Sequence, residues 1–257
     1  MRMTDQTRKA EQFRALHIPG KPIVLFNIWD AGSAKAVAAS GAKAIATSSW
    51  SVANASGFSD GEQAPLTLAI ENLRRIVEAT DLPVTIDLES GYGDASEIVG
   101  ETISLAIEAG AIGCNLEDSF PASGKLRKTI DQVDRIRRAR QTADAADIRF
   151  FINARADVFF QRPPAQHDDA MVVEAIERAH AYAEAGADGL FVPGLVEINL
   201  IARLAEESPL PLNIMVGEST AALRVLAEHG VARVSYGPGP YLMVMKDLEE
   251  RARAASV

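Results

Sequence analysis

The feature that most constrains this chain's fold is a design used four times: a helix ending in Gly, then a short apolar strand. Ala39-Ser40-Gly41-Ala42 precedes Ala44-Ile45-Ala46, and Glu108-Ala109-Gly110-Ala111 precedes Gly113-Cys114-Asn115-Leu116. Glu184-Ala185-Gly186-Ala187 precedes Gly189-Leu190-Phe191-Val192, and Glu228-His229-Gly230-Val231 precedes Arg233-Val234-Ser235. Glycine suits the position after a helix because it enters the left-handed conformation without a Cβ penalty. The apolar run that follows is what a parallel strand covered by helices requires. Four more strands enter through Pro or polar residues, at 22–26, 83–86, 149–152 and 211–215.

Between the strands, stretches 66–79, 95–109 and 169–185 repeat apolar residues at three- and four-residue spacing and read as helices. Strand then helix recurs eight times, ending in a helix near 241–254, with a short leading helix inside 1–19. Such alternation implies parallel strands with right-handed crossovers. The expected fold is α/β, a (β/α)8 TIM barrel forming one domain over 1–257, a typical length for that fold. A doubly wound open sheet is the structural rival.

The net charge of −9 argues against a nucleic-acid partner, which needs a basic footprint. Arg135, Arg137, Arg138 and Arg140 lie on a helix among acidic residues and read as a solvated face. No stretch approaches the roughly 20 apolar residues that would cross a bilayer, and residues 1–14 lack the apolar run of a secretory signal. The one cysteine, Cys114, leaves no internal disulfide, in keeping with a reducing compartment. A cytoplasmic protein with no membrane partner is expected.

Active-site groups of such a barrel sit at the C-terminal ends of the strands, where this chain gathers its unusual polar residues. They are Asn27-Ile28-Trp29-Asp30, Thr47-Ser48-Ser49-Trp50, Asp87-Leu88-Glu89-Ser90-Gly91-Tyr92-Gly93, Asn115-Leu116-Glu117-Asp118, Asn153-Ala154-Arg155-Ala156-Asp157, and Asn213 on strand seven. Asp87, Glu89, Glu117 and Asp118 would crowd the mouth, and burying that charge uncompensated is costly. With oxygen donors and no His or Cys cluster, Mg²⁺, with Mn²⁺ as an alternative, is favoured over Zn²⁺. Asp87, Glu89 and Glu117 read as the metal site. Arg155 on the same rim can hold a carboxylate through two parallel hydrogen bonds. Together these describe a site for a small 2-oxo-carboxylate, with amides around Ser48, Ser49 and Trp50 supporting an enolate oxygen. Asp30 reads as a helix cap, Cys114 as a wall residue, and His17, His167, His180 and His229 as surface residues. Asp118 and Asp157 read equally as structural partners of nearby cations.

These segments, with Gly57-Phe58-Ser59-Asp60, resemble the isocitrate lyase/phosphoenolpyruvate mutase superfamily over nearly the whole chain. The resemblance implies that Asp87 binds Mg²⁺ directly while Glu89, Glu117 and Asp60 act through its waters. It places Ser48, Ser49 and Trp50 around the substrate carboxylate or enolate oxygen, with Arg155 as clamp and Asn213 in contact. Asp60, Arg155 and Glu117 are thus the expected catalytic residues. It also implies a homodimer or homotetramer whose subunits exchange the C-terminal helix.

Three departures narrow the chemistry. Glu89 stands for the second Asp of an Asp-x-Asp pattern. The loop Ser119-Phe120-Pro121-Ala122-Ser123-Gly124-Lys125-Leu126-Arg127 lacks both the cysteine of isocitrate-type lyases and the Asn-Lys segment of the mutases. Val192-Pro193 replaces a Glu or His. What survives is chemistry needing an enolate sink: a Mg²⁺-dependent lyase acting on a small 2-oxo- or 2-hydroxy-dicarboxylate. The alternatives are phosphonopyruvate-type C–P chemistry, as mutase or hydrolase, and a non-catalytic 2-oxo-acid binder. Lys125 or Arg127 is the candidate to close over the ligand.

Overall fold

A computed structural model describes residues 4–255; positions 1–3 and 256–257 of the expected domain lie outside the described residues. The eight strands are β1 (Ile23–Leu25), β2 (Ile45–Ala46), β3 (Val84–Asp87), β4 (Gly113–Glu117), β5 (Phe151–Arg155), β6 (Gly189–Phe191), β7 (Leu212–Met215) and β8 (Arg233–Ser235). They are parallel neighbours in the order β1-β8-β7-β6-β5-β4-β3-β2. The gap between β1 and β2 is bridged just beyond the strands. Ile28 N donates to Ala46 O at 2.9 Å and Ser48 N donates to Ile28 O at 3.0 Å. Strand order that follows the chain around a ring defines a (β/α)8 barrel rather than a doubly wound sheet.

The helices are α1 (Asp5–Ala15), α2 (Ala31–Ala39), α3 (Ser49–Ala55), α4 (Leu66–Glu78), α5 (Ser96–Glu108), α6 (Thr129–Ala145), α7 (Asp169–Ala185), α8 (Ile198–Glu207), α9 (Leu223–Glu228) and α10 (Gly239–Ala255). The four repeated glycines all take positive φ, 91° at Gly41, 97° at Gly110, 103° at Gly186 and 82° at Gly230. Each therefore ends a helix as the repeat requires. Asp30 caps α2: Ser33 N donates to Asp30 Oδ1 at 2.7 Å and Asp30 N donates to Ser33 Oγ at 3.1 Å. Cys114 is sealed in the wall, and burial pushes its thiol up.

Several expectations are corrected. β5 begins at Phe151 rather than 149 and runs on to Arg155, because its register with β4 extends to the Glu117–Arg155 pair. The polar residues expected beyond the strands are thus partly on them. Arg135 is not solvated. It is buried and donates to Gly93 O at 2.7 Å, to Asp94 O at 2.6 Å and to Ser90 O. That binds the loop after β3, which offered buried carbonyls needing donors. His17 is not a surface residue: its ring stacks on Phe151 with centroids 4.1 Å apart, beside Phe13 of α1, which underlies the barrel. His167 and His229 are half-buried on backbone carbonyls; His180 is exposed as expected.

α10 stands apart. Pro240 is its only buried residue, while Leu242, Met243, Val244 and Leu248 are exposed. Its ring contacts to the barrel come from Tyr241, against Trp29 at 5.1 Å and Trp50 at 5.9 Å. Among the described residues no helix is long and apolar enough to cross a membrane.

Candidate active site

At the C-terminal rim the strand ends enclose a cavity of about 170 Å³. From β1 to β4 its wall is polar: Asn27, Ser48, Ser49, Asp60, Asp87 and Asn115. From β5 to β7 it is largely apolar, with Phe160, Phe191, Pro193 and Met215 facing Arg155 and the polar side. Trp50 and Pro238 complete the mouth.

Six expected residues therefore meet at one cavity: Ser48, Ser49, Trp50, Asp60, Asp87 and Arg155. Ser49 Oγ donates to Asp87 Oδ2 at 3.1 Å and lies 3.4 Å from Asp60 Oδ1, so its single hydrogen can turn to either acid. Asp60 sits on the loop between α3 and α4. Its carboxyl is raised above the usual range by burial and then by the charge of Asp87.

Glu89, Glu117 and Asn213 lie behind that lining. Glu89 Oε2 accepts from Gly61 N at 2.9 Å and Glu62 N at 2.6 Å, tying the rim loop after β3 to the Asp60 loop. Burial, then repulsion from Asp60, pushes Glu89 up to about 8. Glu62 returns the tie, its Oε1 accepting from Ser90 Oγ and Tyr92 N, both at 2.7 Å. Glu62, Glu89 and Tyr92 all have positive φ, a conformation that strains non-glycine residues and gathers at functional sites.

Glu117 meets Arg155 Nη1 through Oε2 at 2.6 Å. Burial raises its carboxyl, against the pull of Arg155. Arg155 also chelates Asp157, through Nε at 2.6 Å and Nη2 at 3.1 Å. Burial opposes the Arg155 charge, but Glu117, Asp157 and Asp87 outweigh it and hold the group firmly protonated. Asn213 is buried; Ser235 Oγ donates to its Oδ1 at 3.2 Å, and its Nδ2 has no partner.

Asp118 does not crowd the mouth. Its fully buried carboxylate accepts from Tyr182 OH at 2.7 Å and Arg178 Nη1 at 3.0 Å, under α7. It and Asp157 are partners of cations, as one of the two sequence readings held. Neither Lys125 nor Arg127 lines the cavity. Arg127 is buried over the Phe120 ring at 4.0 Å and bonded to Asp94 at 2.7 Å.

Among the described residues, no three His, Cys, Asp or Glu side chains converge to enclose a cation. The donor set still suits a hard ion that keeps most of its waters, for which one direct carboxylate suffices. Asp87 and Asp60 share the cavity, and the charge of Asp87 makes Asp60 harder to ionise, a repulsion that a cation between them would relieve.

Sequence reading assigned no role to Asn27, Asn115 or Ser235, which also line the cavity. The available signal was inward alternation: Thr85/Asp87, Asn115/Glu117, Asn153/Arg155 and Arg233/Ser235 are polar pairs two apart on strands.

A closed barrel with a charged cavity at its C-terminal rim is the architecture of a TIM-barrel enzyme. The sequence profile described as phosphoenolpyruvate phosphomutase matches residues 13–256. The chain belongs to that family, and so to the isocitrate lyase/phosphoenolpyruvate mutase superfamily of enzymes. A Burkholderia cenocepacia J2315 protein provisionally named a phosphonomutase is 55% identical, with a TM-score of 0.95 over 97% of this chain and 99% of that one. The 2-methylisocitrate lyase of Escherichia coli (strain K12) is 31% identical, covering 77% of this chain and 70% of its own. The oxaloacetate decarboxylase of Pseudomonas savastanoi pv. phaseolicola is 28% identical, covering 91% and 80%.

Proposed function

We propose that this cavity is the active site of a Mg²⁺-dependent carbon–carbon lyase that cleaves a small 2-oxo- or 2-hydroxy-dicarboxylate through a pyruvate-type enolate. The observation that carries the reading is the division of the cavity: Asp60 and Asp87 on one side, Arg155 as its one lining cation, and an apolar wall beyond. Asp87 would hold the ion, with Asp60, Glu89 and Glu117 reaching it through water. When bound, the ion supplies charge stabilisation for the enolate oxygen.

The chain's own residues do the rest. Ser49 aims the Asp87 or the Asp60 carboxylate. Ser48 and Trp50 wall the 2-oxo-carboxylate on the same side. Arg155, held in place by Glu117 and Asp157, retains N–H donors for the substrate carboxylate. Asn213 backs the floor. In decarboxylation of a 2-oxo-dicarboxylate the bonding pair of the broken C–C bond passes into the pyruvate enolate as neutral carbon dioxide leaves toward Phe160, Phe191, Pro193 and Met215, and the enolate then takes a proton from water. In cleavage of a 2-hydroxy-dicarboxylate the Asp60 carboxylate would take the hydroxyl proton, the hydroxyl carbon becomes a 2-oxo-acid carbonyl, and the bonding pair passes into the enolate of the other fragment. The lyase and decarboxylase relatives support this chemistry.

A C–P reading is favoured by the 55% identical relative's provisional name. It is disfavoured by charge, since a departing phosphoryl group is an anion that Arg155 alone would face. For α10, the exposed Leu242, Met243, Val244 and Leu248 support packing against a second copy of the chain, in a homodimer or homotetramer.

The test is pyruvate release from a panel of 2-oxo- and 2-hydroxy-dicarboxylates and phosphonopyruvate, with and without Mg²⁺, against Asp87→Ala. Release from one carboxylic acid, lost in both controls, is expected. Release from phosphonopyruvate alone would move the assignment to C–P chemistry. Turnover that survives Asp87→Ala would remove the metal role, and silence with tight ligand binding would make the protein a binder.

A further inference from the structure

Arg233, on β8, is 1% exposed, and its guanidinium lies inside the barrel. On one side is the Phe13 ring of α1, 5.9 Å away; on the other are Asn115 and Ser235, which line the active-site cavity. No carboxylate forms a salt bridge with it among the described residues, and its Nη1 has no partner. Burial pulls its proton affinity down to about 9. The charge of Asp87 offsets part of that burial, but a sealed cation that no carboxylate touches is still a costly thing for a core to hold.

What the guanidinium does is set direction. Arg233 Nη2 donates to Asn115 Oδ1 at 3.3 Å, and Nε donates to Ser235 Oγ at 3.3 Å. Asn153 Nδ2 also donates to Asn115 Oδ1, at 2.9 Å. Left to themselves, the Asn115 and Asn153 amides could both turn over and keep their hydrogen bond, since each carries a donor and an acceptor. Arginine carries donors only. Its bond to Asn115 therefore removes the alternative: Oδ1 must face Arg233, and Nδ2 is the atom left for the cavity. The same logic runs through Ser235, which accepts from Arg233 and passes its own hydrogen to Asn213 Oδ1 at 3.2 Å. That leaves the Asn213 Nδ2 unspent.

We infer that Arg233 is a positioning residue: by fixing the polarity of Asn115 directly, it makes the cavity floor present an N–H group to an anionic ligand, and through Ser235 it sets the direction of Asn213 behind that floor. The inference rests on the reading of this cavity as an anion site, but not on which bond is cleaved. A flipped Asn115 would offer a carbonyl oxygen to a carboxylate, exchanging an attraction for a repulsion.

The experiment uses oxalate, a planar dianion resembling a pyruvate enolate, titrated calorimetrically into the full chain with Mg²⁺. Arg233→Lys keeps donor-only character; Arg233→Gln keeps hydrogen bonding but restores the choice of direction. Arg233→Lys is expected to bind within a few-fold of the native chain, and Arg233→Gln about tenfold more weakly, as for one lost hydrogen bond to a charged group. In an Asn115→Ala background the Lys–Gln difference should shrink, because the path through Asn115 is gone. A purely structural arginine would make both variants lower the melting temperature and leave the oxalate Kd of the folded fraction unchanged. Equal Kd for Lys and Gln, or an undiminished difference in Asn115→Ala, overturns the inference while the reading of the cavity stands. A native chain that binds no oxalate overturns both.

Discussion

Arg155 and Glu117 are register partners on adjacent strands, and their side chains close a 2.6 Å ion pair directly behind the cavity. The pair makes Arg155 a fixed rather than a searching clamp, since Asp157 holds its other edge. Arg155→Ala would leave two acids uncompensated, and removing one partner of a buried pair costs about 3–5 kcal/mol. Denaturant unfolding should show a loss of that size, together with loss of oxalate binding. Glu117→Gln should be much milder, because Asp157 still orients the guanidinium.

A second buried ion group lies one residue behind the clamp: besides its cation, Asp118 accepts from Asp157 N at 2.9 Å. Tyr182 OH and Arg178 hold Asp118 beneath α7, away from the cavity. Tyr182→Phe deletes a hydrogen bond to a charged acceptor and should lower stability by about 1.5–3 kcal/mol. Oxalate affinity should not change, and a parallel loss of binding would show that Asp118 communicates with the site.

Acid sensitivity should trace to His17. Burial, then the charge of Arg233, pulls its proton affinity down to about 3 from 6.5. The folded state therefore resists a proton that the unfolded chain accepts. The stability this represents is complete above pH 6.5 and is lost as pH falls toward 3. Below pH 6 the native chain should lose up to about 1.4 kcal/mol per pH unit relative to His17→Phe. Parallel stability curves for the two proteins from pH 7 to 5 would show that His17 is not the group responsible.

Oligomeric state offers a fourth check. Leu248→Asp, on the exposed side of α10, should shift the mass seen by light scattering toward the monomer. An unchanged mass would place the subunit contact elsewhere.

The barrel was legible because its punctuation is chemical: a glycine with positive φ is hard to replace, so Gly41, Gly110, Gly186 and Gly230 mark helix ends without knowledge of the fold. Ser48, Ser49, Asp87 and Arg155 were found because polar residues beside buried strands stand out. α3 was not anticipated, since Ser-Trp-Ser-Val-Ala-Asn-Ala is short and lacks a repeating apolar face. Arg135 and Arg233 escaped because long cations default to the surface, and only the backbone carbonyls and amides they meet explain their burial. Glu89 and Asn213 were placed in the right neighbourhood, but which way each side chain turns depends on loops that composition does not describe.

The loop between β4 and α6 is cinched at its base by the Ser119–Leu126 bridge, fastened to Asp94 by Arg127, and met from outside by Gln161 at Gly124 O. A loop tied down at these three points, with none of its residues lining the cavity, is expected to stay in place when a ligand binds. Substrates would then be sorted by girth on arrival rather than by persuading a gate to shut. Turnover would run without a conformational clock, so thickening the solvent with sucrose or glycerol should leave kcat where it was.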